Sequence, residues 1–194
     1  MAVGKAFRQA LSEKWSCRTE RIRRTIRAFL NLVRDESPIL GNTSPAAVLD
    51  GAIALVDHRF AAAQVALTRT LAPDLRPIRC DVPMLAQAIV NLLLNACDAC
   101  PPGGHVDVQA TAEGEQVAFA VVDDGIGIDK EAAEQATKPF FTTKPRGQGT
   151  GLGLAIANEI VKLHRGILQL EPATPRGTRA VILVPVAQAN ADAK

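Results

Sequence analysis

Four glycines at alternate positions, Gly147, Gly149, Gly151 and Gly153, interleave with Gln148, Thr150, Leu152 and Leu154 and lead straight into an apolar-periodic segment. Glycine lets a backbone approach a bulky anion, and a helix start offers unpaired N–H groups and the positive end of its dipole. The run reads as a phosphate cradle. It is not a Walker loop, because no Gly-Lys-Ser/Thr is present, and no strand leads into it as a dinucleotide fingerprint requires. Three other segments carry groups suited to a phosphorylated ligand. Asn91, Asn95 and Asp98 fall at i, i+4 and i+7, on one face of a helix otherwise filled by Ile89, Leu92, Leu93 and Ala96. An amide oxygen is a hard ligand suited to Mg²⁺, which usually shares its shell with substrate phosphates. Core amides satisfied by neighbours are the competing reading of that stripe.

Asp123-Asp124-Gly125-Ile126-Gly127 directly follows a strand-like run. A carboxylate there can accept from an exocyclic amine, such as that of adenine or guanine, and the glycines let a flat base lie against the backbone. An ordinary turn is the alternative. Lys138-Pro139-Phe140-Phe141-Thr142-Thr143-Lys144 gathers aromatic, hydroxyl and ammonium groups just before the glycine run. Lys144 is placed to neutralise terminal phosphate oxygens. A solvated loop with one apolar anchor is the simpler reading. Gly177-Thr178, on the last hairpin, is a minor addition to this set.

These segments need elements to hold them. Residues 5–35 read as one long helix in which Leu11, Trp15, Arg18, Ile22, Thr25, Phe29 and Leu32 follow 4-3 spacing. Either it packs on its own domain or it is half of a dimerising hairpin, and the narrow apolar seam favours the hairpin. Ser37-Pro38 and Gly41-Asn42-Thr43 mark a linker, and Ser44-Pro45 caps a second helix to about residue 63. Strands are predicted at 64–71 and 78–80, and a helix at 82–100 ended by Pro101-Pro102-Gly103-Gly104. A hairpin over 105–112 and 116–122 turns at Glu113-Gly114-Glu115. Residues 124–149 read as a long loop, a length that is usually functional. A helix over 150–164 ends at Gly166, and two last strands, 167–171 and 179–184, turn at Pro175-Arg176-Gly177. The tail from Ala187 is expected to fray. Helices on one face of a mixed, mostly antiparallel sheet make an α+β fold, a two-layer α/β sandwich preceded by a long helix.

Composition sets bounds on this plan. The 194 residues are 47% hydrophobic and 22% charged, enough for one full domain plus an appendage. No uninterrupted apolar run approaches the roughly 18 residues of a membrane span and no signal peptide is visible, so no membrane contact is expected of this segment. Net charge is +2, but residues 1–35 hold nine Lys and Arg against three Asp and Glu. Without interleaved aromatics this basic helix suggests a solvated face or an acidic partner rather than nucleic acid. Cys17, Cys80, Cys97 and Cys100 fit a reduced cytoplasmic chain. Cys97-Asp98-Ala99-Cys100 is formally a C-x-x-C, but with no second pair it reads as structural.

In this order the four segments resemble the asparagine, first glycine, phenylalanine and second glycine boxes of sensor histidine kinases, members of the GHKL superfamily. The resemblance covers about residues 45–185, and Arg18–Arg34 looks like the second helix of the family's dimerisation hairpin. It implies a fold of the GHKL (Bergerat) type, with 1–40 a partial phosphotransfer hairpin, 41–187 an ATP-binding catalytic domain and 188–194 a tail. It implies ATP and Mg²⁺ as ligands. Asn95 would hold Mg²⁺, Asn91 would lie near the phosphates and Lys144 would meet the terminal ones. Asp123 would read the adenine amine, Gly125 and Gly127 would shape the base pocket, and Phe140 and Phe141 would anchor the lid. Gly149, Gly151 and Gly153 would form hinge and cradle, and Asp98, Ile128, Thr143, Thr150, Leu152, Leu154 and Thr178 would line the nucleotide's surroundings. Implied partners are a response regulator and the phosphoacceptor hairpin of an intact, homodimeric kinase, which is cytoplasmic or the cytoplasmic part of a sensor.

Two departures stand out. Many kinases carry Lys or His where this chain has Asp98. The family's acceptor lies in a His-Glu/Asp helix followed by Pro, whereas His58, His105 and His164 precede Arg59, Val106 and Arg165. The acceptor is therefore expected outside this chain. Asn91 also stands where the superfamily's ATPases place a Glu base. An anti-sigma-type serine kinase and a non-catalytic nucleotide-sensing module are the alternatives. The long seam-bearing helix argues against the first, and the intact nucleotide-facing positions argue against the second.

Overall fold

A computed structural model of the chain describes residues 38–145 and 149–187. The expected helix over 5–35, Cys17, Gly147 and the tail 188–194 lie outside the described residues.

Ser44 begins the first helix, α1 (Pro45–Ala63), as expected: its hydroxyl accepts from Ala46 N at 3.2 Å, and Pro45 opens the first turn with a ready-set φ. Gln64 ends it in the left-handed region (φ 56), which delays strand β2 to Ala66–Leu71. Residues Gly41–Thr43, expected to be linker, form a short strand, β1. It pairs antiparallel with β3 (Ile78–Cys80), Thr43 opposite Ile78. Three residues are too few for a period-2 signal, and Gly-Asn-Thr composition points to a turn.

Helix α2 (Val82–Ala99) is capped by Asp81, whose carboxylate accepts from Met84 N at 3.1 Å through one oxygen and from Ile39 N at 3.1 Å through the other. It meets α1 on one side and α4 on the other, and Leu85, Ala88, Ile89, Leu92, Leu93 and Ala96 are buried along it. By length and composition it could cross a membrane, but its apolar residues form the core of this domain. Strands β4 (His105–Glu113) and β5 (Gln116–Asp123) make the predicted hairpin, with Gly114 left-handed at the turn. β6 (Ile167–Pro172) and β7 (Thr178–Pro185) complete a five-stranded sheet in the order β2-β4-β5-β7-β6. Among the described strands only β2–β4 is parallel, as expected of a crossover through a helix. The sheet and α1, α2 and α4 form the two layers of the expected α+β sandwich.

The stretch 124–149 is not wholly irregular. Helix α3 (Lys130–Gln135) follows Asp129, whose carboxylate caps Ala132 N at 2.7 Å. Helix α4 begins at Gly153 rather than Thr150 and runs to Leu163, because Gly151 is left-handed (φ +65) and cannot continue a right-handed helix. At its far end His164 is buried. Its Nδ1–H donates to Ile160 O (2.7 Å) and its Nε2 accepts from Asp81 N (3.0 Å), so the end of α4 grips the start of α2.

Candidate functional site

The polar stripe of α2 is present as spaced: Asn91 and Asn95 are half-buried, with Asp98 one turn further on. Gly153 faces both amides, since a Cβ there would lie 3.9 Å from Asn91 Oδ1 and 4.0 Å from Asn95 Nδ2. The start of α4 is thus brought against the stripe. Gln87, one turn before Asn91, donates to its Oδ1 at a long 3.5 Å. Asn91 Nδ2 is buried and has no hydrogen-bond partner among the described residues. A buried donor left unmet costs about 1–3 kcal/mol, so this N–H group suits an acceptor brought by a ligand.

At the other end of α2, Asp123 closes β5 on the face that carries the fully buried Phe119. Its Oδ1 accepts from Gly125 N (3.0 Å) and Thr178 N (3.1 Å), joining the β5 exit to the β6–β7 turn. Burial pushes the Asp123 carboxyl above its ordinary value, and those two N–H bonds pull against it. Three glycines make this corner possible. A Cβ on Gly125 would meet Ala99 O at 2.5 Å, left-handed Gly127 (φ +81) packs on Gly177, and left-handed Gly177 (φ +99) lies against Asp123 O with no room for a side chain. Ile128 is half-buried beyond them, while Ile126 is exposed. Asp124 turns away: its carboxylate accepts from His105 N (2.9 Å), and that bond holds it below the usual carboxylate range.

The Phe140 segment is stitched to the glycine run. Phe140 N donates to Gly151 O at 2.8 Å with Phe140 itself left-handed (φ 68), and a Cβ on Gly151 would meet Phe140 C at 2.4 Å. Gly149 similarly packs on Thr142 and Lys144. Phe140 and Thr143 are exposed; Phe141, Thr150 and Leu154 are half-buried. Thr150 Oγ1 accepts from Leu152 N at 3.4 Å. The Leu152 side chain is in the core, so only its backbone can face a ligand.

Lys144 does not stand free. Its Nζ lies 2.7 Å from Asp98 Oδ2, while Arg59 of α1 lies 2.9 Å from Asp98 Oδ1. Burial alone would raise the Asp98 carboxyl, but the bonds from Lys144 and Arg59 outweigh it and hold it below its ordinary value. Gln87 and Arg59 were not among the sequence candidates. The i−4 spacing from Asn91 marks Gln87, whereas nothing local in the sequence links Arg59 to a position 39 residues away. Cys97 and Cys100 are free thiols, and burial, with the nearby Asp123 and Asp124 charges, pushes Cys100 up to about 11. No cluster of metal-ligating His, Cys, Asp or Glu occurs among the described residues. For Mg²⁺ the donor set still fits, because a single amide oxygen beside an unmet donor leaves most of the shell to phosphates and water, as Mg²⁺ prefers.

Residues 80–188 match the family model described as histidine kinase-, DNA gyrase B-, and HSP90-like ATPase. Sporulation kinase E of Bacillus subtilis (strain 168) is 31% identical over 170 residues, 87% of this chain and 23% of that protein. Sensor histidine kinase ZraS of Escherichia coli O157:H7 is 31% identical over 176 residues, 91% of this chain and 38% of that protein. The chain thus spans well under half the length of these curated relatives. Among solved structures, the mycobacterial sensor histidine kinase MprB superposes with a TM-score of 0.68 at 28% identity, covering 78% of this chain and 100% of that one.

Proposed function

The chain belongs to the histidine kinase-, DNA gyrase B-, and HSP90-like ATPase family, and on that footing we propose that it is the ATP-binding catalytic part of a sensor histidine kinase. It passes the γ-phosphate of ATP to a histidine on a hairpin outside this chain, for onward transfer to an aspartate of a response regulator. Residues 41–187 are the catalytic domain in this reading, 1–40 the remainder of a dimerisation hairpin, and the intact protein is a homodimer working in the cytoplasm.

The observation that carries the reading is the unmet donor Asn91 Nδ2, buried beside Gly153 at the head of α4. Phosphate oxygens supply the acceptor it lacks, and the α4 N-terminus supplies amides and a favourable dipole. Asn95 holds Mg²⁺ through its amide oxygen; the ion, when bound, neutralises charge developing on the phosphate oxygens. Asp123 keeps its second carboxylate oxygen for the adenine amine, while its first fixes Gly125 and Thr178. Lys144 meets the terminal phosphate. Catalysis then rests on positioning and charge neutralisation.

Asn91 cannot accept a proton at neutral pH, so that position offers no general base for hydrolysis. Intrinsic ATP hydrolysis is accordingly weak. Incubation of the chain with labelled ATP and a kinase dimer whose own ATP site is inactivated by substitution tests the reading, and acid-labile phosphohistidine on the supplied hairpin is the expected product. Acid-stable phosphoserine would favour the serine-kinase alternative. Binding without any phosphorylated partner would favour the sensing module. ATP turnover at rates typical of dedicated ATPases, abolished by Asn95→Ala, would refute the kinase design.

A further inference from the structure

Asp98 stands where many kinases carry a cation, yet two cations converge on it from distant elements. Lys144 takes Oδ2 and Arg59 takes Oδ1, so both are held at once. Lys144 is also the residue assigned to the terminal phosphate, and its three N–H donors are then divided between two anions. The triphosphate carries more charge than one carboxylate, so when bound it draws those donors, and Lys144 with them, away from Asp98. The carboxylate left behind has only 32% of its side chain exposed, and a partly buried carboxylate without a counterion is costly.

Arg59 removes that cost. It occupies the other oxygen and need not move when Lys144 goes. Asp98 then passes from two counterions to one and is never bare. Without Arg59, Lys144 would be its only counterion among the described residues and would be held more tightly. We infer that Arg59 is a positioning residue for the terminal phosphate, keeping Asp98 neutralised so that Lys144 is released to the nucleotide. This rests on the assignment of Lys144 above and extends it to a residue outside all four motifs.

Calorimetric binding of Mg-ATP, Mg-ADP and adenosine to the 194-residue chain tests it. Arg59 is exposed on α1, so Arg59→Gln is expected to leave the fold and adenosine affinity intact. ATP affinity should fall about two- to fivefold, the scale of a partly exposed ion pair, with a smaller loss for ADP. Asp98→Asn should bind ATP at least as tightly as wild type, because nothing then competes for Lys144. Adding Arg59→Gln to Asp98→Asn should cause no further loss. An equal loss in that second background would show that Arg59 acts directly and overturn the inference. So would equal losses for all three ligands, which signal a structural role, or no loss in Arg59→Gln. A wild-type chain that binds adenosine and ATP with equal affinity would remove the Lys144 assignment itself, and the inference with it.

Discussion

Replacing Asp123 by Asn and by Ala separates what this carboxylate does for the ligand from what it does for the fold. Its Oδ1 ties Gly125 N and Thr178 N at 3.0 and 3.1 Å. Asn keeps an amide oxygen for both, but presents an NH₂ donor where the second oxygen was. Against the adenine amine this sets donor against donor. Loss of a hydrogen bond to a charged group, about 1.5–3 kcal/mol, weakens ATP binding roughly 10- to 150-fold. The fold should not suffer, for a reason of sign. Burial raises the folded pKa of Asp123 above its unfolded value. A group shifted that way contributes its full stability below the unfolded pKa and loses it as pH rises through the folded one. Ionised Asp123 is therefore a cost at neutral pH that Asn does not carry. Asp123→Asn should melt at or above wild type at pH 7, with the gap closing as pH falls through the raised folded pKa towards the ordinary carboxylate value. Asp123→Ala strands both N–H groups, at about 1–3 kcal/mol each, and should melt on the order of 10 °C lower. Thermal melts between pH 4 and 8, with calorimetry at pH 7, read both effects. An Asn variant that binds ATP like wild type would sink the adenine assignment. An Ala variant that melts like wild type would sink the account of the corner.

Gly151→Ala forces a side chain into the left-handed region and onto the Phe140 carbonyl, 2.4 Å from its Cβ. A strain of about 1–2 kcal/mol plus the lost Phe140–Gly151 bond should lower ATP affinity at least about tenfold. Melting should fall by a few degrees as well, because the neighbouring Leu152 is in the core. Asn95→Ala should abolish most of the gain in ATP affinity that Mg²⁺ confers, measured by titration with and without the ion, and leave adenosine binding unchanged; an unaltered Mg²⁺ effect would remove Asn95 as the ligand. His164→Leu leaves Asp81 N without its acceptor and should destabilise the domain by about 1–3 kcal/mol, visible as a lowered melting temperature at neutral pH.

The elements whose boundaries are written in local chemistry are readable in the sequence. Ser44-Pro45 and the Pro101-Pro102-Gly103-Gly104 stop bound α1 and α2 closely, and the β4–β5 hairpin follows from alternation around Gly114. β1 was not readable, since its pairing with β3 depends on residues about 37 positions away. α3 was hidden by its length, although Asp129 is an ordinary cap. The late start of α4 follows from the left-handed Gly151, a conformation that glycine permits without announcing. Within the candidate site, residues on one helix face were found together because 3.6-residue periodicity is local. The Arg59–Asp98–Lys144 cluster joins three elements through side chains and leaves no periodic trace. The carboxylate in place of the usual cation was visible, but not what surrounds it.

The stripe and the core share one helix, and that limits which length changes the lineage can tolerate. A single residue inserted between Leu85 and Asn95 turns everything beyond it by about 100° and shifts it about 1.5 Å. Asn95 and Asp98 would then point where Leu92 or Ala96 now pack, and the apolar residues would take their places toward Gly153. Packing and ligand binding would fail in the same step, with no intermediate in which one survives. The β4–β5 turn at Gly114–Glu115 is exposed, and its bonds to Arg76 and Val186 do not involve the stripe. Length variation among descendants of this chain is expected at that tip and absent from α2.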